Sequence, residues 1–140
     1  MADSMAFAIK AAIDDPRAAE LVFSRQKTMY GGKLVAKDDI IFIFASENEG
    51  GPGLIARGVV VSISAVPRVP GLARQTPRIS LRIRCVASAK RRLGRGELKS
   101  FNDWKDGRPE TELNFKFYRQ ATNKVIGISD ETAAFLNRFF

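Results

Sequence analysis

The sequence predicts an α+β domain built on a small, mixed β-barrel, closed or nearly closed, of five or six strands with flanking helices. Three observations lead there. Strand-like segments follow one another without the strict strand-helix alternation of a doubly wound sheet. Signals for a full helix are confined to the segment after Asp14-Asp15-Pro16 and to the C-terminus. The 140 residues, 45% hydrophobic and 27% charged, are enough for one core without disulfides or metals, so residues 1–140 read as a single domain.

In MAFAIKA at 5–11, Phe7 and Ile9 stand one residue apart and predict the first strand. Asp15 then offers an N-cap and Pro16 a first helical residue, and Ala18, Ala19, Leu21, Val22 and Phe23 supply an apolar stripe. A helix is expected there, ending before Gly31-Gly32. IIFIFA at 40–45 is a continuous β-rich run after Lys37-Asp38-Asp39 and reads as a central strand buried on both faces. The turn-dense segment 46–53, SENEGGPG, leads into a long strand from Leu54 to about Val66, with Gly58 marking a bulge or bend.

A connection rich in Pro and Arg, 67–77, precedes a strand from Arg78 to Val86. Here Ile79, Leu81, Ile83 and Cys85 alternate with Arg78, Ser80, Arg82 and Arg84, so one sheet face is cationic. Residues 89–109 lack a sustained period and read as a long excursion with a helical turn near Glu97 to Phe101. Leu113, Phe115 and Phe117 alternate with Asn114, Lys116 and Tyr118, predicting another strand. After Ala121-Thr122-Asn123 a short strand runs from Lys124 to Ile128, and Ser129 caps a final helix that packs through Ala133, Phe135, Leu136, Phe139 and Phe140.

Charge is regional. The net charge is +8, yet no Asp or Glu lies between Glu49 and Glu97, a stretch that holds ten cations. Eight of these, Arg57, Arg78, Arg82, Arg84, Lys90, Arg91, Arg92 and Arg95, are the candidate phosphate-binding residues; Arg68 and Arg74 complete the set. Arginine outnumbers lysine here, and its planar fork suits phosphate oxygens and base faces. A nucleic-acid-type polyanion, RNA or DNA, is the partner this pattern indicates.

The same sequence excludes most catalytic and metal chemistry. Without histidine there is no Ser-His or Cys-His pair and no histidine ligand, and Cys85, the single cysteine, has no disulfide partner. GGPG at 50–53 lacks the Lys-Ser/Thr ending of a phosphate loop, and Asp14-Asp15 and Asp38-Asp39 sit where a cap and a turn already account for them. No catalytic residue, cofactor or metal is expected. The N-terminal MADSMAFAIKAAIDD reads as neither signal peptide nor membrane span, so the expected compartment is the cytoplasm.

Two constellations could hold a base. Phe101, Trp104 and Tyr118 lie among Lys99, Lys105, Arg108, Lys116 and Arg119, a mixture in which rings stack on bases while cations hold phosphates. Ser46, Asn48 and Glu49 follow the central strand, where polar groups can read the edge of a planar ligand.

FAIKA, the segment KTMYGGKLVAKDDIIFIFAS, the turn ENEGGPG and GLIARGVVVSISAV together resemble the opening half of EVE-type domains in the PUA-like superfamily. The resemblance implies a small mixed barrel that binds nucleic acid and holds a modified base between the first helix and the barrel. It places Lys27, Tyr30, Ser46 and Asn48 near that pocket, to which the aromatic reading adds Trp104. Where family members tend to carry Trp after the helix, this chain has Met29-Tyr30-Gly31-Gly32. The related ASCH branch implies an alternative, a small amidohydrolase of modified nucleosides, for which Lys27 and Thr28 offer two of the three residue types. A third reading is a protein-interaction module whose basic face meets an acidic partner.

Overall fold

A computed structural model describes residues 6–119 and 122–140. The expectations for residues 1–4, for Met5 at the head of the first strand and for Ala121 fall outside these residues. Six strands close into a barrel: β1 (Ala6–Ala11), β2 (Glu20–Met29), β3 (Ile40–Ala45), β4 (Gly53–Ala65), β5 (Arg78–Ser88) and β6 (Lys124–Ile128). Their order around the barrel is β1-β3-β4-β5-β2-β6. β1 runs parallel to β3 and β2 parallel to β6, while the remaining neighbours are antiparallel, so the sheet is mixed. Three short helices, α1 (Arg95–Leu98), α2 (Pro109–Leu113) and α3 (Asp130–Asn137), flank it.

Strand alternation divides the apolar residues into two cores. Phe7, Ile9, Ile41, Ile43, Leu81 and Ile83 point into the barrel. Ala8, Phe42, Phe44 and Ile126 point outward and are covered by Leu98, Leu113, Phe117 and Leu136 of the helical layer. β3 is therefore buried on both faces because barrel and helices sandwich it, which accounts for its unbroken IIFIFA run. Gly58 sits at a register shift in the β4–β5 ladder, where a Cβ would come within 2.7 Å of the Arg84 carbonyl oxygen and 2.5 Å of Ile83. On β5, Ile79, Leu81 and Ile83 are buried while Arg82 and Arg84 are exposed, and Cys85 is half-buried.

Two expected elements take a different form. No helix follows Pro16: Asp15 caps only a tight turn, accepting from the Arg17 amide at 3.0 Å, and the chain enters β2 at Glu20. Leu21 and Phe23 are buried while Val22 and Ser24 are exposed, a two-residue period that edge-to-edge pairing with β5 satisfies and a helix would not. The expected strand over 113–118 is instead the end of α2 continued by one π-helical turn, Asn114–Tyr118. Pro109 opens this helix, and Leu113 and Phe117, four apart, fall on one buried face. The expected turn near Glu97 forms as α1, with Glu97 accepting from the Gly94 amide at 2.8 Å. Ser129 caps α3 as expected, accepting from the Thr132 amide.

Candidate functional site

β1 carries a lysine on its outward face. Lys10 is 1% exposed, and its ammonium donates to the Phe117 carbonyl at 2.7 Å and lies 4.7 Å from the centre of the Tyr118 ring. Burial pulls its pKa below the ordinary lysine value, with the Glu47 carboxylate opposing. Register places Lys10 directly across from Lys124 on β6, and Lys124 directly across from Lys27 on β2. Directly opposed residues share a face, so three lysines form one row over three strands. Lys124 is fully buried, and that burial, with Lys10 and Lys27 adding, pushes its pKa down to about 8.

At the end of β3, the Ser46 amide donates to the Ala11 carbonyl at 2.8 Å, which brings the serine beside the strand end that carries Lys10. Ser46 is 1% exposed and its hydroxyl has no partner among the described residues. Glu47 follows: both its carboxylate oxygens accept from the Tyr118 hydroxyl, at 3.1 and 3.2 Å, and one accepts from the Arg95 amide at 2.6 Å. Burial and the Glu47 charge keep the Tyr118 phenol protonated well above its ordinary range. Asn48 accepts from the Arg95 guanidinium at 2.7 Å. Gly53, at φ 90°, lets the 93–95 segment pack this closely, because a Cβ there would lie 2.4 Å from the Leu93 oxygen. GGPG is thus a turn that holds Arg95 against Glu47 and Asn48.

The five residues expected to share a base pocket are distributed over three places. Ser46 and Asn48 belong to the cluster just described. Tyr30 and Trp104, 46% and 70% exposed, line a separate cleft of about 370 Å³ with Arg108, Thr111, Phe115 and Lys116. Lys27 lines a third recess, also about 370 Å³, beside Ala11, Arg25, Arg78 and Asn123. With no helix after Pro16, the expected position between a first helix and the barrel does not exist. The polar cluster lies instead beneath the C-terminal helical layer.

Most of the candidate phosphate-binding residues make contacts within the chain. Arg57 donates to Asn137 at 2.8 Å and stacks over Phe140, and Arg91 donates to the Arg138 carbonyl and lies over Phe139. Arg82 pairs with Glu20 at 3.3 Å and Arg92 with Glu97 at 3.7 Å. Arg95 is engaged as above, and Arg78 donates to the Arg25 carbonyl at 2.7 Å. Arg84 and Lys90 are exposed. Residue reading missed Lys10 and Lys124. Their signal was a lone lysine inside or at the head of an apolar strand, AFAIKA and KVIGI, which in a doubly covered sheet must be a buried cation.

The amidohydrolase arrangement is not built at Lys27 and Thr28. The Thr28 hydroxyl donates to the Pro77 carbonyl at 2.7 Å, and none of the described residues lining the Lys27 recess is a carboxylate.

This closed six-stranded barrel with its helical flank has the architecture that the resemblance to EVE-type, PUA-like domains implies. Among solved structures, the chain is similar to the DUF55 domain of human thymocyte nuclear protein 1, at a TM-score of 0.61 and 14% identity over 93% of this chain and 95% of that one. It is also similar to human THYN1 in complex with DNA containing 5-methylcytosine, at 0.63 and 15%, covering 94% and 95%. A Pseudomonas putida protein matches at 0.63 and 14%, covering 95% and 97%. No protein-family model and no curated protein matches the chain. No helix among the described residues is long and apolar enough to cross a membrane.

Proposed function

We propose that this domain binds nucleic acid and takes one base, with recognition of a modified base, against the Lys10–Ser46–Glu47 cluster. The observation that carries the reading is the Ser46 hydroxyl, 1% exposed and without a partner among the described residues. Burying a hydroxyl unpaired costs roughly 1–3 kcal/mol, and native structures rarely keep such a group. Its retention beside a buried ammonium and a carboxylate fits a site completed by a ligand. Ser46 can donate or accept, Glu47 accepts and Lys10 donates, which is the mixture that reads the polar edge of a base. The 5-methylcytosine DNA bound by a protein of the same fold supports this choice of ligand.

The test is a binding series with the purified protein and single- and double-stranded RNA and DNA, each carrying cytosine or 5-methylcytosine at one central position. The reading expects binding that weakens with salt and an affinity that depends on the central base. Absence of binding to every oligonucleotide at low salt, with capture of acidic proteins instead, would favour the protein-interaction reading.

A further inference from the structure

A second concentration of positive charge lies away from Arg91 and Arg92. The β4–β5 connection, 66–77, forms one wall of a groove of about 660 Å³ whose described lining residues include Arg25, Lys33, Arg68, Arg74 and Arg78 and no Asp or Glu. This groove continues into the recess lined by Lys27, because Arg25 and Arg78 border both. The recess in turn reaches Ala11, whose carbonyl receives the Ser46 amide, and Lys27 opens the lysine row that crosses Lys124 to Lys10. Cationic side chains therefore follow one another from the connection through Lys27 and the buried Lys124 to Lys10.

Two features hold this groove in shape. Gln75 ties the connection together, its amide nitrogen donating to the Val69 carbonyl at 2.8 Å and the Leu72 carbonyl at 3.1 Å while its oxygen accepts from the Val69 amide at 2.8 Å. The arginines on either side, Arg68 and Arg74, are thus carried by a closed loop. On the opposite wall, Arg25 occupies a bulge in the β2–β5 ladder at φ 54°, a conformation that favours glycine. Its amide donates to Ser80 at 3.0 Å and its carbonyl accepts from Arg78. Bulges re-aim a side chain, and here the bulge turns Arg25 to the lining of the groove.

We infer that the groove between the β4–β5 connection and the Arg25 bulge is the phosphodiester track, along which a nucleic-acid strand runs toward the base held at Lys10 and Ser46. The inference rests on the proposed nucleic-acid reading and goes beyond it by assigning the strand's path to Arg25, Lys27, Lys33, Arg68, Arg74 and Arg78. Exposed arginines lining one groove, with no carboxylate among its described lining residues, suit a phosphate backbone, which fixes position without reading sequence. Arg91 and Arg92, turned onto Phe139 and Glu97, lie off this path.

The experiment compares wild type, Arg68→Ala/Arg74→Ala and Arg91→Ala/Arg92→Ala by fluorescence anisotropy on one labelled oligonucleotide, from 50 to 200 mM salt. Two lost phosphate contacts make the slope of log affinity against log salt shallower by about two units, so the fall over that range shrinks roughly tenfold for the connection variant. The Arg91/Arg92 variant should keep the wild-type slope, and the connection variant should keep its base preference. A connection variant that binds with the wild-type slope overturns the track while leaving the base site standing. A changed slope with no base preference in any variant upholds the track and removes the base site. If wild type binds no oligonucleotide at 50 mM salt, both are refuted. Circular dichroism of each variant verifies that the exposed substitutions leave the fold intact.

Discussion

Replacing Ser46 by alanine should move stability and affinity in opposite directions. The hydroxyl is 1% exposed and has no partner among the described residues, so its removal relieves a desolvation cost of about 1–3 kcal/mol in the free protein. The void left by one oxygen subtracts little, since cavity terms run at roughly 24 cal/mol per Å³. A net gain of about 1 kcal/mol should raise the thermal midpoint by roughly 4 °C in a domain of this size. In the complex the same hydroxyl makes a hydrogen bond worth about 0.5–1.5 kcal/mol, so its loss weakens binding about twofold to tenfold. Thermal unfolding and anisotropy titration of S46A beside wild type read both quantities. A variant that loses stability while binding unchanged would refute the reasoning, because the hydroxyl would then be a satisfied part of the core.

Further outcomes follow from other parts of the molecule. Burial holds Lys124 at about 8, below the ordinary 10.5, so between those values the unfolded chain binds more protons than the folded one and stability rises with pH. Urea midpoints at pH 7.5 and 9.5 should therefore increase in wild type, and K124M should flatten that increase. Burial raises the pKa of Glu112, but donors from Ser129, Thr132 and Lys116 outweigh it and hold the carboxyl below its usual range. Its stabilising effect is complete above the unfolded value of 4.5 and lost as pH falls through the folded one, so E112Q should cost about 1.5–3 kcal/mol at pH 7 and shift acid unfolding, measured by circular dichroism. G58A places a methyl group against Ile83 and the Arg84 carbonyl and should cost roughly 1–3 kcal/mol in urea unfolding.

The barrel was legible because its strands carry clear local signals. IIFIFA, the alternation from Arg78 to Val86 and the KVIGI run each fell on a strand, and Gly58 marked the register shift. The segment after Pro16 misled because Asp-Pro opens both helices and turns, and because Ala18 to Phe23 is too short an apolar run for periodicity to separate the two. Closure decides the matter: β2 bridges β5 and β6, and without it the barrel would be open. Leu113 to Phe117 misled in the opposite sense, since residues at 113, 115 and 117 fit a two-residue period while only 113 and 117 are fully buried.

The polar cluster proposed to hold a base was only partly legible in the sequence. Ser46 and Asn48 were singled out, but Lys27, Tyr30 and Trp104 come from other clefts, and Lys10 and Lys124 were passed over inside apolar runs. Charge density along the chain identified an arginine-rich region without separating those turned onto Phe139, Phe140, Glu20 and Glu97 from those facing the groove. That separation depends on pairs such as Arg82 with Glu20, distant in sequence and adjacent only across the β2–β5 ladder.

The most direct measurement is a backbone and lysine-side-chain NMR titration of the isotope-labelled protein with a short oligonucleotide carrying 5-methylcytosine. Shifts are expected at Lys10, Ser46, Glu47 and Tyr118, extending through Lys27 and Arg25 to Arg68 and Arg74. Shifts confined to Arg91, Arg92 and the α3 surface, with Lys10 and Ser46 unmoved at saturation, would contradict it.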